Sequence, residues 1–188
     1  MKAGTYIAVC VVVADLGEQY SEKFKTYSPR IQLAFEIPSE RITVDGEDKP
    51  CWIMEEYTAS TNAKSNFCKM VTSWRGKAFT DEEAAEYDAS QLLGKSCMIS
   101  VTLDETPSGT YNNIASVVGL PAGIDAPKPE SDLILFDWDN FTEEGFNALP
   151  EWLKTKIKKS TEYQQRYAVD EALDLTEEEN GAAVDLGF

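Results

Sequence analysis

The chain has 188 residues, of which 43% are hydrophobic, and its formal net charge of −16 comes from 17 basic and 33 acidic residues. This length suits one domain with extensions, and the apolar fraction is sufficient for an ordinary core. Because the chain has no histidine, a serine triad, a Cys–His pair and a histidine-ligated zinc site are excluded. A chain this acidic is not coated with nucleic-acid-binding charge, so any such site must be a local basic groove.

Neither the cysteines nor the first apolar run indicates an extracellular or membrane protein. The four cysteines are widely spaced and form no CxxC pair, which predicts small buried side chains in a reducing compartment. The apolar run Tyr6–Ala14 is too short for a membrane span and lacks the strong basic start of a signal peptide. We therefore expect a buried strand there and a protein of the cytoplasm.

The first third of the sequence predicts three strands. Thr5–Leu16 is rich in Val and Ile, and Arg30–Ile37 alternates apolar with polar residues, as a half-buried strand does. The third strand, Cys51–Ser60, follows the turn signal Asp45-Gly46. A polar stretch, Glu18–Pro29, separates the first two strands. It carries Lys23, Phe24, Lys25 and Tyr27.

Helices, a hairpin and a last helix are predicted in the rest of the chain. A helix capped at residue 61 or 62 runs to about Trp74, and a capping box at Thr80 opens a second helix that ends at Leu93. The strands Ser96–Glu105 and Thr110–Leu120 should form a hairpin. A connector follows over 122–149, and the stretch Pro121–Pro129 at its start is rich in proline. An amphipathic helix over 150–167 then packs on the domain or on a second subunit.

The order of these elements predicts a mainly β protein with helices, of the α+β class. Three strands, a helical segment and two strands is the order of an OB-fold, a five-stranded Greek-key barrel with a helical segment between strands 3 and 4. We expect this nucleic-acid-binding domain over residues 1–121. Other small α+β domains have the same order, so the order alone leaves them open.

The segment 168–188 predicts a disordered acidic tail. Its seven acidic residues and no basic one leave 17 basic against 26 acidic residues, a net charge of −9, for the rest of the chain. Such a run buries too little apolar surface to become ordered. Leu186 and Phe188 follow Asp185 at its end, and an acidic tail ending in Phe resembles the C-termini of single-stranded-DNA-binding proteins. An ordinary frayed acidic terminus is the alternative.

Candidate nucleic-acid contacts concentrate in residues 57–79, which mix aromatic with basic side chains. Nonspecific binding of single strands needs this mixture, because bases stack on rings while Lys and Arg follow the phosphates. Two aromatic residues on strands extend the set. The eight candidates are Trp52, Tyr57, Lys64, Lys69, Trp74, Arg75, Lys77 and Tyr111. The helical spacing of Phe67 and Trp74 also fits two rings that fill the core.

Two further patterns point to other chemistry. Gly94-Lys95-Ser96 partly matches a phosphate-binding loop, but a predicted helix precedes it and a strand follows, which is the reverse of that motif. Asp137 and Asp139 could hold Mg²⁺ for phosphodiester cleavage, so a metal-dependent nuclease is one alternative. We nevertheless predict a protein without enzymatic activity, cofactor or metal.

Several short motifs resemble a family of small phage-encoded proteins from replication and recombination modules. The resemblance extends over roughly Thr5 to Pro121 and more loosely over residues 149–160, and it implies an OB-fold protein that binds single-stranded DNA. The motifs that carry it are Tyr57-Thr58-Ala59-Ser60, Lys64-Ser65-Asn66, Ser73-Trp74-Arg75-Gly76-Lys77, Phe79-Thr80, Leu93-Gly94-Lys95-Ser96-Cys97 and Tyr111-Asn112-Asn113-Ile114.

The sequence therefore leads to one main hypothesis and one further alternative. The main hypothesis is a phage-type protein of the host cytoplasm that binds single-stranded DNA without reading its sequence. Its tail would occupy the DNA site in the free protein, and Asp185, Leu186 and Phe188 would recruit replication or recombination proteins. The further alternative is a non-catalytic adaptor for a phage or host protein. A homodimer through the barrel edge or the last helix is compatible with either, and no membrane partner is expected.

Overall fold

The computed structural model describes residues 1–107 and 109–168, and it confirms the predicted class, mainly β with helices. The predicted tail from residue 169 onward lies outside the described residues. The strands are β1 Gly4–Ser21, β2 Thr26–Val44, β3 Glu47–Thr58, β4 Ser96–Thr106, β5 Gly109–Val118 and β6 Ile134–Phe136. The helices are α1 Asn66–Arg75, α2 Asp81–Ala85, α3 Glu143–Ala148, α4 Glu151–Ile157 and α5, residues 161–168. A 3₁₀ turn, Ala89–Leu92, precedes β4.

The six strands form one sheet in the order β3-β2-β1-β4-β5, with antiparallel neighbours, and β6 lies parallel to β1. The first half of β1 pairs with β4, and from Val9 onward the strand pairs with β2. A register shift between Cys10 and Val12 lies where the partner changes, which is where a bulge can bend a strand. The two ends of the sheet, β3 and β5, come close together, and α1 packs against both of them.

Two hydrophobic cores lie on opposite faces of this sheet. The first fills the space beneath α1 and includes Leu33, Phe35, Phe67 and Trp74. The second lies between β1, β2 and the C-terminal helices, where Leu153 and Ile157 are fully buried. Because β1 contributes to both, its residues Ala8–Ala14 are all buried. This explains why the strand reads as an unbroken apolar run instead of an alternating one.

The hairpins extend further than their apolar patterns predict. Residues 18–21 and 26–29, expected to lie in a polar stretch between strands, continue the β1–β2 ladder, with Tyr20 opposite Tyr27. β2 likewise continues beyond Ile37 to Val44. These segments lie outside the cores, so no burial pattern marks them, and cross-strand pairing stabilises them instead.

Three helix boundaries differ from the prediction, each because a polar side chain starts a new cap. Ser65 caps α1 by accepting the Cys68 N–H, so the helix begins later than residue 62. The capping box at Thr80 is confirmed, but α2 ends at Ala85 and Asp88 caps the 3₁₀ turn that follows. The predicted helix over 150–167 is divided into α4 and α5, since Ser160 accepts the Tyr163 N–H at 3.1 Å. Among the described residues, no helix is both long and apolar enough to cross a membrane.

The connector predicted over 122–149 contains β6 and α3 and is anchored to the sheet. Glu36, fully buried on β2, accepts the backbone N–H groups of Glu130 at 2.8 Å and Ser131 at 2.9 Å. On α4, Lys156 donates to the side chains of Gln32 at 2.6 Å and Glu56 at 2.8 Å. The Glu36 contacts hold the connector, and the Lys156 contacts hold α4, on the face of the sheet that carries the second core.

Candidate nucleic-acid interface

The structure does not bring the eight predicted contact residues to one place. Trp74 is buried in the core. Its side chain is only 8% exposed, and its indole N–H donates to the Ser96 carbonyl at 3.1 Å. The ring also packs against Phe35, with 5.7 Å between centroids. Trp74 is therefore a core residue in this structure and offers no ring face to a base.

Arg75 and Lys77 are engaged with one acidic side chain. Both contact the Glu83 carboxylate, at 3.3 Å and 2.8 Å, and the Arg75 guanidinium also lies 4.3 Å from the ring centre of Phe79. The hydrogen bond from Lys77, together with the other contacts of this carboxylate, lowers the pKa of Glu83 to about 2. Arg75 and Glu83 border a cavity of about 650 Å³ that also has Phe79 and Tyr87 in its walls.

Trp52 and Tyr57 lie on opposite faces of β3. Trp52 packs on the core beneath the C-terminal helices, and its indole N–H donates to the Ser131 hydroxyl at 3.1 Å. Tyr57 packs on the other core, 6.0 Å from the ring of Phe67. One strand of nucleic acid could not stack on both rings at a single face. Both side chains are half-buried.

Tyr57, Lys64 and Lys69 do come together, along the outer edge of β3. Two adjoining cavities of about 610 and 380 Å³ both have Tyr57 and Asn66 in their walls, and they form one channel between β3, α1 and β5. We call this channel the β3 groove. Lys64 borders the first cavity and Lys69 the second. Both lysines are exposed, and neither forms an ion pair within residues 1–107 and 109–168.

Two carboxylates, Glu55 and Glu56, lie in the walls of the β3 groove, and Glu56 is paired with two cations. Burial opposes ionisation of Glu56, but the hydrogen bonds from Lys156 and Arg30, each 2.8 Å long, outweigh it and lower its pKa. Burial, and then the neighbouring Glu56, raises the pKa of Glu55 above its usual value. Burial also raises the pKa of Tyr57, which keeps its phenol uncharged at neutral pH. Within the groove, Lys156 and Arg30 therefore offset the charge of Glu56, while Lys64 and Lys69 are exposed to a ligand.

Tyr111 is exposed but lies apart, on the outer part of the β4–β5 hairpin. It pairs across the hairpin with Asp104, and Glu105 is the next residue along β4. Half of its side chain is accessible to solvent. A ring here could stack a base, but the carboxylates beside it repel phosphate.

Sequence reasoning missed three exposed rings on the outer part of the β1–β2 hairpin. We call residues 18–29 the aromatic arm. Tyr20 is 44% exposed, Phe24 71% and Tyr27 56%. The two tyrosines lie 5.1 Å apart, and the Lys23 ammonium is 5.3 Å from the centre of the Phe24 ring. Lys25 pairs with Glu22, an exposed ion pair of little energetic value. The signal in the sequence was the mixture of lysines and rings within Glu18–Pro29.

The aromatic arm and the β3 groove are neighbours. The Ala59 N–H donates to the Pro29 carbonyl at 2.9 Å, which joins the end of β3 to the base of the arm. Arg30 reaches across from that base to the Thr58 hydroxyl at 2.8 Å and to Glu56. The segment that follows β3 leads directly to Lys64, whose N–H donates to the Asn62 side chain at 2.9 Å. The base of the aromatic arm, at Pro29, therefore lies beside the β3 groove, whose wall includes Arg30 and Thr58.

Asp137, one of the carboxylates considered for a nuclease, is used in a local turn. Asp137 accepts both the backbone N–H of Asn140, at 2.7 Å, and its side-chain amide, at 2.9 Å, and so closes a local turn. Among the described residues, no group of three or more Asp, Glu, Cys or His side chains is arranged to hold a metal ion.

All four cysteines are free, and burial raises the pKa of the Cys10 thiol to about 12.

No protein-family model matches this chain, and no curated protein matches it. The function must therefore be argued from the placement of the arm and the groove.

Proposed function

We propose that this protein binds single-stranded DNA without reading its sequence. The observation that carries the proposal is the aromatic arm, where Tyr20, Phe24 and Tyr27 are exposed beside two lysines. Three exposed rings on one hairpin form an apolar patch of the kind that marks an interaction site. A base that stacks on such a ring contributes about 1–3 kcal/mol. Phosphates then follow the β3 groove past Lys64 and Lys69.

The strand order supports an OB-type barrel as the fold behind this activity. In the order β3-β2-β1-β4-β5, with β3 and β5 close together and α1 beneath both, one further pairing would close a five-stranded barrel. The β1–β2 and β4–β5 hairpins are the connections that border the ligand in OB-folds. The aromatic arm and Tyr111 lie on these two hairpins. We therefore expect the DNA to contact the aromatic arm on the first hairpin and to follow the β3 groove, and we assign no phosphate contact to Tyr111, which lies beside carboxylates.

The acidic chain is compatible with DNA binding if the tail competes with DNA. Residues 169–188 hold seven acidic residues and no basic one, and Leu186 and Phe188 stand at their end. In the proposed mechanism this segment occupies the arm and the groove in the free protein and leaves when DNA arrives. Asp185, Leu186 and Phe188 are then available to replication or recombination proteins of a phage, in the host cytoplasm, as the motif resemblance implies.

The test is fluorescence anisotropy of a labelled oligo-dT, titrated with the full chain and with a version that ends at Ala168, over a series of salt concentrations. We expect binding that weakens with salt, because phosphate contacts release counterions. We also expect tighter binding by the shortened chain at low salt. Equal affinity of the two forms would contradict tail competition alone, whereas no binding by either would contradict the DNA-binding function.

An adaptor is the second candidate, and one apolar surface favours it. Ile42 and Val44 on the β2–β3 hairpin are 49% and 41% exposed and border a cavity of about 540 Å³ next to Trp52. An adaptor would use such a surface for a protein partner and would not bind oligo-dT even at low salt. The same titration therefore separates the two candidates.

A further inference from the structure

The aromatic arm leaves the body of the protein at an irregular point of β1. A second register shift occurs between Asp15 and Gly17, directly before the arm begins. Gly17 has a φ of +70°, in the left-handed region that glycine adopts without strain. The Asp15 carboxylate accepts the Gly17 N–H at 2.8 Å and closes this bulge from within the strand. The bulge at Gly17 therefore sets the direction in which the aromatic arm leaves the sheet.

Helix α5 sits directly on this bulge. Both carboxylate oxygens of Glu162 accept the backbone N–H of Glu18, at distances of 2.8 and 3.1 Å. A Cβ atom at Gly17 would collide with that carboxylate and would lie 2.9 Å from the Cβ of Ser160. A side chain at position 17 would therefore displace α5, so the glycine is needed for the contact as well as for the backbone conformation.

A second contact holds the arm to the neighbouring helix. The Gln19 side-chain amide donates to the Leu16 carbonyl at 2.7 Å and to the Lys156 carbonyl, near the end of α4, at 3.2 Å. From Tyr20 outward the rings are exposed and no core lies beneath them. Contacts at the base therefore determine where the rings point.

We propose that Glu162 is a positioning residue for nucleic-acid binding: from α5 it fixes the base of the aromatic arm and so aligns the rings with the β3 groove. This inference rests on the proposed function. The residue touches no base or phosphate itself. Its effect on affinity comes through the fraction of molecules whose arm is already aligned, since apparent affinity falls in proportion to that fraction.

The carboxylate keeps this position in an unfavourable electrostatic setting. Asp15 lies beside it: burial first, and then the negative charges of Glu162, Asp137 and Asp139, raise the pKa of Asp15. A Glu placed only for surface solubility would have no reason to lie there. The charge-assisted bonds to the Glu18 N–H offset the repulsion.

The experiment compares Glu162→Gln and Glu162→Ala with the wild-type full chain, and Glu144→Gln serves as a control on an exposed residue of α3. Amide hydrogen exchange reports on residues 18–27, anisotropy of labelled oligo-dT reports on affinity, and thermal unfolding shows that each variant is folded. The Gln variant retains one acceptor oxygen and the shape of the side chain, so it should rescue part of the effect. It also provides the test if Glu162→Ala does not fold.

We expect faster exchange in the arm and an affinity reduced on the order of tenfold for Glu162→Ala, with a smaller change for Glu162→Gln. The slope of log affinity against log salt should remain unchanged, because the bound DNA has the same number of neutralised phosphates. Unchanged arm exchange would overturn the inference even if the protein binds DNA. Faster exchange with unchanged affinity would overturn it as well. If the wild-type chain does not bind, the proposed function fails, and the exchange data show separately whether Glu162 holds the arm.

Discussion

Replacing Phe24 by alanine should weaken binding of single-stranded DNA while leaving the fold intact. The ring is 71% exposed, so the substitution removes little buried area, and the Lys23 contact at 5.3 Å is also exposed. The free energy of unfolding should change by less than about 0.5 kcal/mol, as for most surface substitutions. Loss of one stacked base removes about 1–3 kcal/mol of binding free energy, which corresponds to about 5- to 150-fold in Kd.

The assay is anisotropy of labelled oligo-dT at low salt, together with urea unfolding of the same preparations. Ile42→Ala is the matched control, because it also removes an exposed apolar side chain from a hairpin of this sheet. An equal loss of affinity in both variants would mean that nonspecific apolar contacts, and not base stacking on the arm, bind the DNA. Wild-type affinity in Phe24→Ala would refute the assignment of this ring to the interface.

Three further predictions separate structural from binding roles. Trp74→Phe should lower the free energy of unfolding by about 1–3 kcal/mol in urea titrations, because a buried carbonyl loses its donor, and the folded protein should keep its DNA affinity. Replacing Lys64 and Lys69 together by glutamine should reduce the salt slope of oligo-dT binding by about 0.7 for each phosphate that these lysines neutralise; an unchanged slope would remove the β3 groove from the interface. Asp15→Asn should stabilise the protein at neutral pH: the pKa of Asp15 is raised in the folded state, chiefly by burial, so its ionisation favours unfolding as pH rises above the ordinary value of 3.8. The gain in urea midpoint should disappear below that pH, and an equal gain at both would contradict the explanation.

The sequence predicted the parts of the fold that burial determines. The strands of the two cores follow from apolar patterns, and the first strand was recognisable because β1 is covered on both faces. The outer hairpins were missed, since cross-strand pairs such as Tyr20 with Tyr27 leave no periodic signal. The length of α2 was overestimated because it buries no residue, so only the cap at Thr80 was informative.

The candidate site was predicted in residue types more than in positions. Lys64 and Lys69 were identified from the mixture of basic and aromatic residues, and both border the β3 groove. The same mixture led to the prediction of Trp74 as a contact residue, although its helical spacing also fitted a core position. Trp52 and Tyr57 are five residues apart, and residues of a strand that are separated by an odd number point to opposite faces of the sheet. Which of the two faces carries the site depends on where the C-terminal helices pack. That packing is a tertiary property that no local pattern reports.

The double coverage of β1 also has a consequence for synthesis on the ribosome. The apolar segment Ala8–Ala14 emerges early, whereas its covers include β4 and then α4, which ends at Ile157. At about 5–20 residues per second, this strand waits roughly 7 to 30 s for its last partner. During that time a long apolar strand is available to chaperones and to other nascent chains. Rapid overproduction should therefore favour aggregation, and chains that stop before α4 should depend most on chaperones for solubility.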